Sequence, residues 1–344
     1  MKNLSRVFTQ NQKKTAKKKT ILTGDRPTGR LHLGHYVGSL KNRVAFQNEY
    51  DCYFIIADYQ VLTDQLLKSK EIENNIKEIV LDYLSVGIDP NKATIFVESQ
   101  IPEISQLGLI FSMLTTLTRV KRNPTIKEQI KSMGIKRASL GYVSWPVSQA
   151  ADISIVRADA VPVGKDQLPH IELTREITSS FNRLFGSVFP IPKAILGEVP
   201  TLPGLDGQKM SKSRNNAIFL SDSPKIVEEK LMKAITDPQK IHLNDKGHPE
   251  ICNIYKYYEA FFPKKAEEIK PLCKAGKIGC VECKKQLAKM LNEFLDPIRE
   301  KRAEFAKQPK LIKEILEQGR VKTEKKAKET MTLVKDVMGM DYRF

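Results

Sequence analysis

The chain has 344 residues, of which 41% are hydrophobic and 28% charged, and carries a formal net charge of +17. That length allows one large or two ordinary domains with a real core, and no run approaches the ~18 apolar residues that cross a bilayer. The first nineteen residues lack the apolar stretch of a secretory signal and are Lys-rich rather than Arg-rich, so a cytoplasmic protein with no membrane partner is expected.

Residues 1 to 20 hold seven Lys/Arg and no Asp or Glu, which predicts a basic, unstructured extension over 1–19. Residues 301 to 344 hold twelve Lys/Arg against seven Asp/Glu, so both ends suit a polyanion. Charge alone does not separate RNA from DNA or from a membrane surface.

After the extension, "ILTG" (21–24), "CYFII" (52–56) and "ATIFVE" (93–98) read as short buried strands bounded by turn residues. Residues 33–47 form the helix opened by the first loop. Between the second and third strands, Ile76, Ile79, Val80 and Leu84 share one helical face over 73–90 before Gly87 and Pro90 end it. Further helices are predicted over 103–120, from Pro146 onward and over 170–184, with a strand through Val161 and Val163 and a late strand at "NAIFL" (216–220). From 223 the pattern turns helical throughout, as Val227, Leu231 and Ala234, then Ile254, Tyr257, Tyr258 and Phe261, then Leu287, Leu291 and Leu295 recur. The fold class is therefore α/β: a doubly wound, Rossmann-like parallel sheet over 20–222, followed by an all-α domain over 223–344.

In such a sheet, ligands bind beyond the carboxyl ends of the strands, and the loop 23–34 occupies that place after the first one. Its glycines let backbone approach phosphate at a helix N-terminus. His32 and His35, three apart, would face the same way and could donate to phosphoryl oxygens; a metal half-site is the alternative, without a carboxylate ligand pattern beside it. A second loop, "PGLDGQKMSKSRNN" (203–216), sets Lys209 and Lys212 between Gly204 and Gly207 and the polar residues that follow, where two lysines could close over a triphosphate. Gln149 and Asp152 share a helix face and could fix one polar atom of an aromatic ligand in an apolar pocket. Cys252, Cys273, Cys280 and Cys283 form C-x20-C-x6-C-x2-C, four thiols that suit zinc or a [4Fe–4S] cluster equally by number. Four unrelated core cysteines are the plainer alternative.

"HLGH" (32–35) with "KMSKS" (209–213) resembles the paired motifs of class I aminoacyl-tRNA synthetases. The stretches 23–44, "QAADI" (149–153), "VPVGKDQ" (161–167) and "HIELTREI" (170–177) resemble the tryptophanyl family of that class. The resemblance implies ATP-dependent activation of L-tryptophan, transfer to tRNA(Trp), a helical anticodon-binding domain and a homodimer. It implies ATP, with Mg2+, held by Arg26, Pro27, Thr28, Gly34, His35, Gly164, Lys165, Asp166, Leu202, Lys209, Met210, Ser211, Lys212 and Ser213. Lys165 lies where this motif varies and carries no role of its own, whereas Asp166 takes the ribose. His32, His35, Lys209 and Lys212 would carry transition-state charge, with Gly34 admitting the nucleotide. Asp152 would accept the indole N–H, Gln167 would bind the amino-acid head group, and Gln149, Gln60, Val161 and Val163 would line the pocket. Some bacterial members of the family carry an iron–sulfur cluster on a similar cysteine pattern.

One departure is Trp145, the single tryptophan, where relatives commonly show a tyrosine. Tyrosyl-tRNA synthetases use similar spacings around Gln149 and Asp152, and a silent RNA-binding paralogue would share the charge. His170, Glu172 and Arg175 read as packing and ion pairing.

Overall fold

The structure, a computed structural model, describes residues 18–132, 138–196 and 202–342, so most of the expected basic extension lies outside the described residues. Five short strands form a single parallel sheet: β1 (Thr20–Asp25), β2 (Asp51–Ile56), β3 (Ala93–Val97), β4 (Ala160–Val163) and β5 (Lys193–Leu196). Their order is β3-β2-β1-β4-β5, so the sheet reverses direction of growth between β1 and β4 and opens a crevice there. Strands covered on both faces read as apolar runs, which is why β1 to β3 were legible; β5 is half exposed and begins with a lysine, and gave no such run.

The helix after β1 covers 33–49, with a π turn at Tyr36–Leu40, and is α1. Within the crossovers lie α2 (Asp58–Gln65), α3 (Ile72–Ser85), α4 (Pro102–Met113), α5 (Leu117–Lys121), α6 (Pro124–Ser132), α7 (Leu140–Ile155) and α8 (Leu168–Phe185). The expected single helix over 103–120 breaks after Met113, and Thr116 caps its successor by accepting the Arg119 N–H. Nor does α7 begin at Pro146. Ser139 caps it by accepting the Tyr142 N–H, and Pro146 sits inside, removing one backbone bond without ending the helix.

"NAIFL" is extended, but it does not join the sheet. The Leu33 N–H donates to the Ile218 carbonyl at 2.9 Å and the Leu220 N–H to the Leu31 carbonyl at 3.0 Å, an antiparallel bridge of His32 with Phe219. Its apolar residues are buried beneath the histidine loop instead.

Beyond residue 223 the regular elements are all helices, as expected, with an irregular stretch over 234–252: α9 (Pro224–Lys233), α10 (Asn253–Phe261), α11 (Pro263–Lys274), α12 (Cys280–Ala306) and α13 (Pro309–Val337). One face of the sheet, with Ile21, Phe54 and Ile95, shares a continuous core with Leu287 and Leu291 of α12; the other, with Leu22, Ile55 and Phe96, packs on Ile153 and Phe181. Alternate side chains of a strand serve opposite faces, so both cores are anchored on the same strands.

The long α13 lies against β3, the outer strand on that side, and covers an edge that would otherwise invite intermolecular pairing. Gly319 makes the approach feasible, since a Cβ there would overlap the Ile95 carbonyl. Replacing Gly319 by alanine should lower stability by about 1–3 kcal/mol through overpacking, measured by urea denaturation. An unchanged midpoint would show that α13 does not bear on the sheet edge.

Candidate active site

Gly24 ends β1 against β2, where a Cβ would overlap the Ile55 carbonyl, and so directs the chain into the crevice. The Asp25 carboxylate follows, accepting from Arg43 Nη1 and from the Tyr83 hydroxyl, each at 2.7 Å. Burial alone would raise its pKa, but Arg43, His35 and these hydrogen bonds bring it down to about 2. Arg43 itself is 2% exposed and also donates to the Gly24 carbonyl. A charged pair under a sheet-end loop has no sequence motif, which is why neither residue was singled out.

His32 and His35 lie together, their ring centroids 3.8 Å apart. Burial pushes the His32 pKa down to about 2 and the His35 pKa to about 4, so both rings are neutral at pH 7. His35 Nδ1 accepts the His32 N–H at 3.2 Å, which leaves Nε2 as the protonated nitrogen, a donor on a residue that lines the cavity. Gly34 serves packing: a Cβ would stand 3.0 Å from His32 Nδ1 and 3.1 Å from Met210 Sδ. The glycine therefore lets the two motifs meet, where the resemblance implied a role in admitting nucleotide.

The two lysines occupy different posts. Lys212 Nζ donates to the Gly29 carbonyl at 2.6 Å and to Thr28 Oγ1 at 3.1 Å, and burial lowers its pKa to about 8. Lys209 is 76% exposed at its side chain and stands 3.8 Å from the Asp166 carboxylate. Asn216 shapes the loop between them, accepting from the Ser211 N–H and donating to Asp206 and the Lys209 carbonyl. Its signal in the sequence was only the Asn-Asn doublet after the basic run.

Asp25, His35, Arg43 and Lys209 line a cavity of about 560 Å³ at the carboxyl ends of β1 and β4, while His32 and Lys212 stand behind its wall. Arg26, Thr28, His35, Gly164, Asp166 and Lys209 line it on one side, and Gln60, Gln149, Asp152, Val161, Val163 and Gln167 on the other. Arg26 is paired with Asp64. Pro27, Leu202 and Met210 are buried beside the cavity, Lys165 is exposed, Ser211 is half-buried, and the Ser213 side chain lies outside the described residues.

Asp152, 6% exposed, stands at the inner end, and one of its carboxyl oxygens has no protein hydrogen-bond partner. Burial first, then the neighbouring Glu98 and Asp58 carboxyls, raises its pKa well above the ordinary value. Glu98 was not anticipated; it accepts from the Tyr59 and Gln60 N–H groups at the start of α2, and burial with Asp58 pushes it up to about 8. Trp145 is 6% exposed and packs on His170 at 4.5 Å, and His170 meets Asn123 at 3.2 Å, as expected of a packing histidine. Glu172 and Arg175 form the expected ion pair.

Cys252, Cys273, Cys280 and Cys283 line one small cavity with Asp237 and Lys240. Burial raises the Cys283 thiol to about 12. Among the described residues, no three His, Cys, Asp or Glu side chains stand, as placed, where they could hold a metal ion. Cys52 is buried in β2, apart from these four.

A doubly wound sheet whose crevice carries a neutral histidine pair and a lysine loop defines a nucleotide-binding catalytic domain of the class I kind. The family model for class I tRNA synthetases (W and Y) matches residues 13–296. The chain is 48% identical to the tryptophan–tRNA ligase of Chlamydia caviae, over 95% of this chain and 98% of that one. It is 39% identical to that of Aquifex aeolicus, over 93% and 99%. A solved structure of tryptophanyl-tRNA synthetase from Campylobacter jejuni, complexed with ADP and tryptophan, superposes with a TM-score of 0.81 at 34% identity over 93% of this chain and 99% of that one. The chain belongs to the class I tRNA synthetases of the tryptophan and tyrosine group.

The acid cluster has a consequence for pH. Glu98 is raised from 4.5 unfolded to about 8 folded, so between those values folding takes up a proton and stability falls as pH rises. Thermal melts should show a lower Tm at pH 8.5 than at pH 5.5, and Glu98→Gln should flatten that fall; an identical slope in the variant would mean Glu98 is already ionised.

Proposed function

We propose that the protein is a tryptophan–tRNA ligase of the cytoplasm. The observation that carries this reading is one cavity with His35, Lys209 and the Lys212-bearing loop at its phosphate end and Asp152 at its inner end. In the first step a tryptophan carboxylate oxygen attacks the α-phosphorus of ATP, which arrives with Mg2+, and the bond to the β-phosphate oxygen breaks, releasing pyrophosphate. In the second, the 2′-hydroxyl of the terminal tRNA adenosine attacks the adenylate carbonyl, loses its proton, and AMP departs. No side chain forms a covalent bond; positioning and charge stabilisation lower the barrier.

His35 donates from Nε2 to a phosphoryl oxygen, and His32 holds it. Lys209 and Lys212 neutralise the leaving pyrophosphate, Lys212 by exchanging the Gly29 carbonyl for phosphate oxygen. Asp166 takes the ribose and Gln167 the amino-acid head group. Asp152 offers its unpartnered oxygen to the indole N–H. A ligand lacking that donor leaves the oxygen unpaired, which rejects phenylalanine strongly. The helical region from 223 engages the anticodon arm, its basic α13 matching an RNA backbone.

Two further features extend the proposal. The four cysteines would hold a [4Fe–4S] cluster or zinc once drawn closer than they stand: the support is that thiols from three segments line one cavity, with four sulfurs for four ligand positions. The exposed Leu67, Leu109, Met113, Leu117 and Leu140 support a homodimer.

ATP–pyrophosphate exchange with each amino acid supplied separately tests the function; tryptophan alone should support it. Exchange with tyrosine would overturn the pocket reading, and none, in folded protein, would favour an RNA-binding paralogue. Lys212→Ala should cut the exchange kcat about 10²–10³-fold with little change in tryptophan affinity, a magnitude typical of losing one charge-stabilising group. Anaerobically purified protein should be brown with about four irons per chain; colourless protein binding zinc would select the other metal, and neither would leave a cysteine core.

A further inference from the structure

His32 lies on a two-stranded ribbon, Leu31–Leu33 against Ile218–Leu220, and both strands of that ribbon are tied to α12 at the Leu31–Leu220 end. On one strand the Leu31 N–H donates to Asp82 Oδ2 at 2.6 Å. Asp82, fully buried on α3, uses its other oxygen to accept from Arg302 Nε at 2.8 Å. Arg302 also donates to Glu78 at 2.6 Å, one turn earlier on α3. On the other strand Asp222, 2% exposed, accepts from the Phe219 N–H at 2.9 Å and from Lys230 of α9 at 2.6 Å. Its backbone carbonyl accepts from Arg299 Nε at 2.7 Å.

Arg299 and Arg302 are three residues apart on α12 and so share a face. Each reaches a different strand of the ribbon, one through a carboxylate and one through a main-chain carbonyl. A guanidinium suits this because its fork fixes direction as well as distance. The two phosphate motifs are thus held in register by a helix that contributes no residue to the cavity.

We infer that Arg299 and Arg302 are positioning residues for the adenylation step, setting the place of His32 and, through Phe219, of the lysine loop. This rests on the reading under Proposed function. It also makes α12, in the region assigned to tRNA, the element through which displacement of that region reaches the histidines.

The test uses full-length Arg302→Gln and Arg299→Gln, with Arg302→Lys as the conservative variant and Lys77→Gln, which breaks an exposed pair with Glu73 on α3, as control. ATP–pyrophosphate exchange should lose about tenfold or more in kcat in both glutamine variants while the tryptophan KM stays within about twofold, as misplacement of reacting groups predicts. Arg302→Lys should recover part of the loss, because one donor still reaches Asp82, and the control should match the parent. Amide hydrogen exchange supplies a readout independent of activity: the Leu33 and Leu220 amides should exchange faster in the variants while those of β2 remain protected. Unchanged kcat and unchanged ribbon protection would overturn the inference, as would loosening of the whole chain with kcat per folded molecule intact. Absence of exchange in the parent would fail the functional reading instead, and the ribbon amides would still decide the positioning role.

Discussion

The structure turns on a pairing of two short segments far apart in sequence. Leu31 to Leu33 and Ile218 to Leu220 exchange two backbone hydrogen bonds, and with them the histidine loop and the lysine loop become one unit. Buried backbone groups need partners, and neither segment has a helix or sheet of its own to supply them. Gly34 keeps the contact close by leaving room for Met210 Sδ against His32. Without this pairing, the two motifs would be separate loops on one sheet.

Electrostatics then divides the cavity. The histidines are neutral, so formal positive charge on the phosphate side comes from Lys209, Lys212 and Arg26, while Asp25 is neutralised from below by Arg43. At the opposite end Glu98 and Asp152 gather beside Asp58 with no cation among the groups that shift them, and Glu98 and Asp152 keep protons that solvent would remove. On the proposed function, the cationic end would take the phosphates of a nucleotide and the other a neutral ring carrying a hydrogen-bond donor.

The helical region is not an appendage. Its α12 shares the apolar core of one sheet face, and α13 closes the β3 edge. The same packing that stabilises the sheet therefore brings charged groups of α12 against the catalytic loops. On the inference above, a change in the helical region would reach the site, because both rest on common side chains.

Much of this was present in the chain itself. Apolar runs disclosed β1 to β3, helical periodicity disclosed the C-terminal region, and the paired motifs disclosed the family, because each depends on residues near in sequence. Asp152, Gln149 and Gln167 were legible for the same reason, and they do line the cavity. β5 and the true fate of "NAIFL" were not, since pairing partners of an extended segment are chosen by what lies beside it in space. Nor were Asp25 with Arg43, Glu98 beside Asp152, Asp82 beneath Leu31, or the unequal posts of the two lysines. Local pattern determined which residues carry the chemistry. Burial, and the partners that burial demands of every charged or polar group, decided their protonation, their tethering and their reach, and those exist only once the chain has closed on itself.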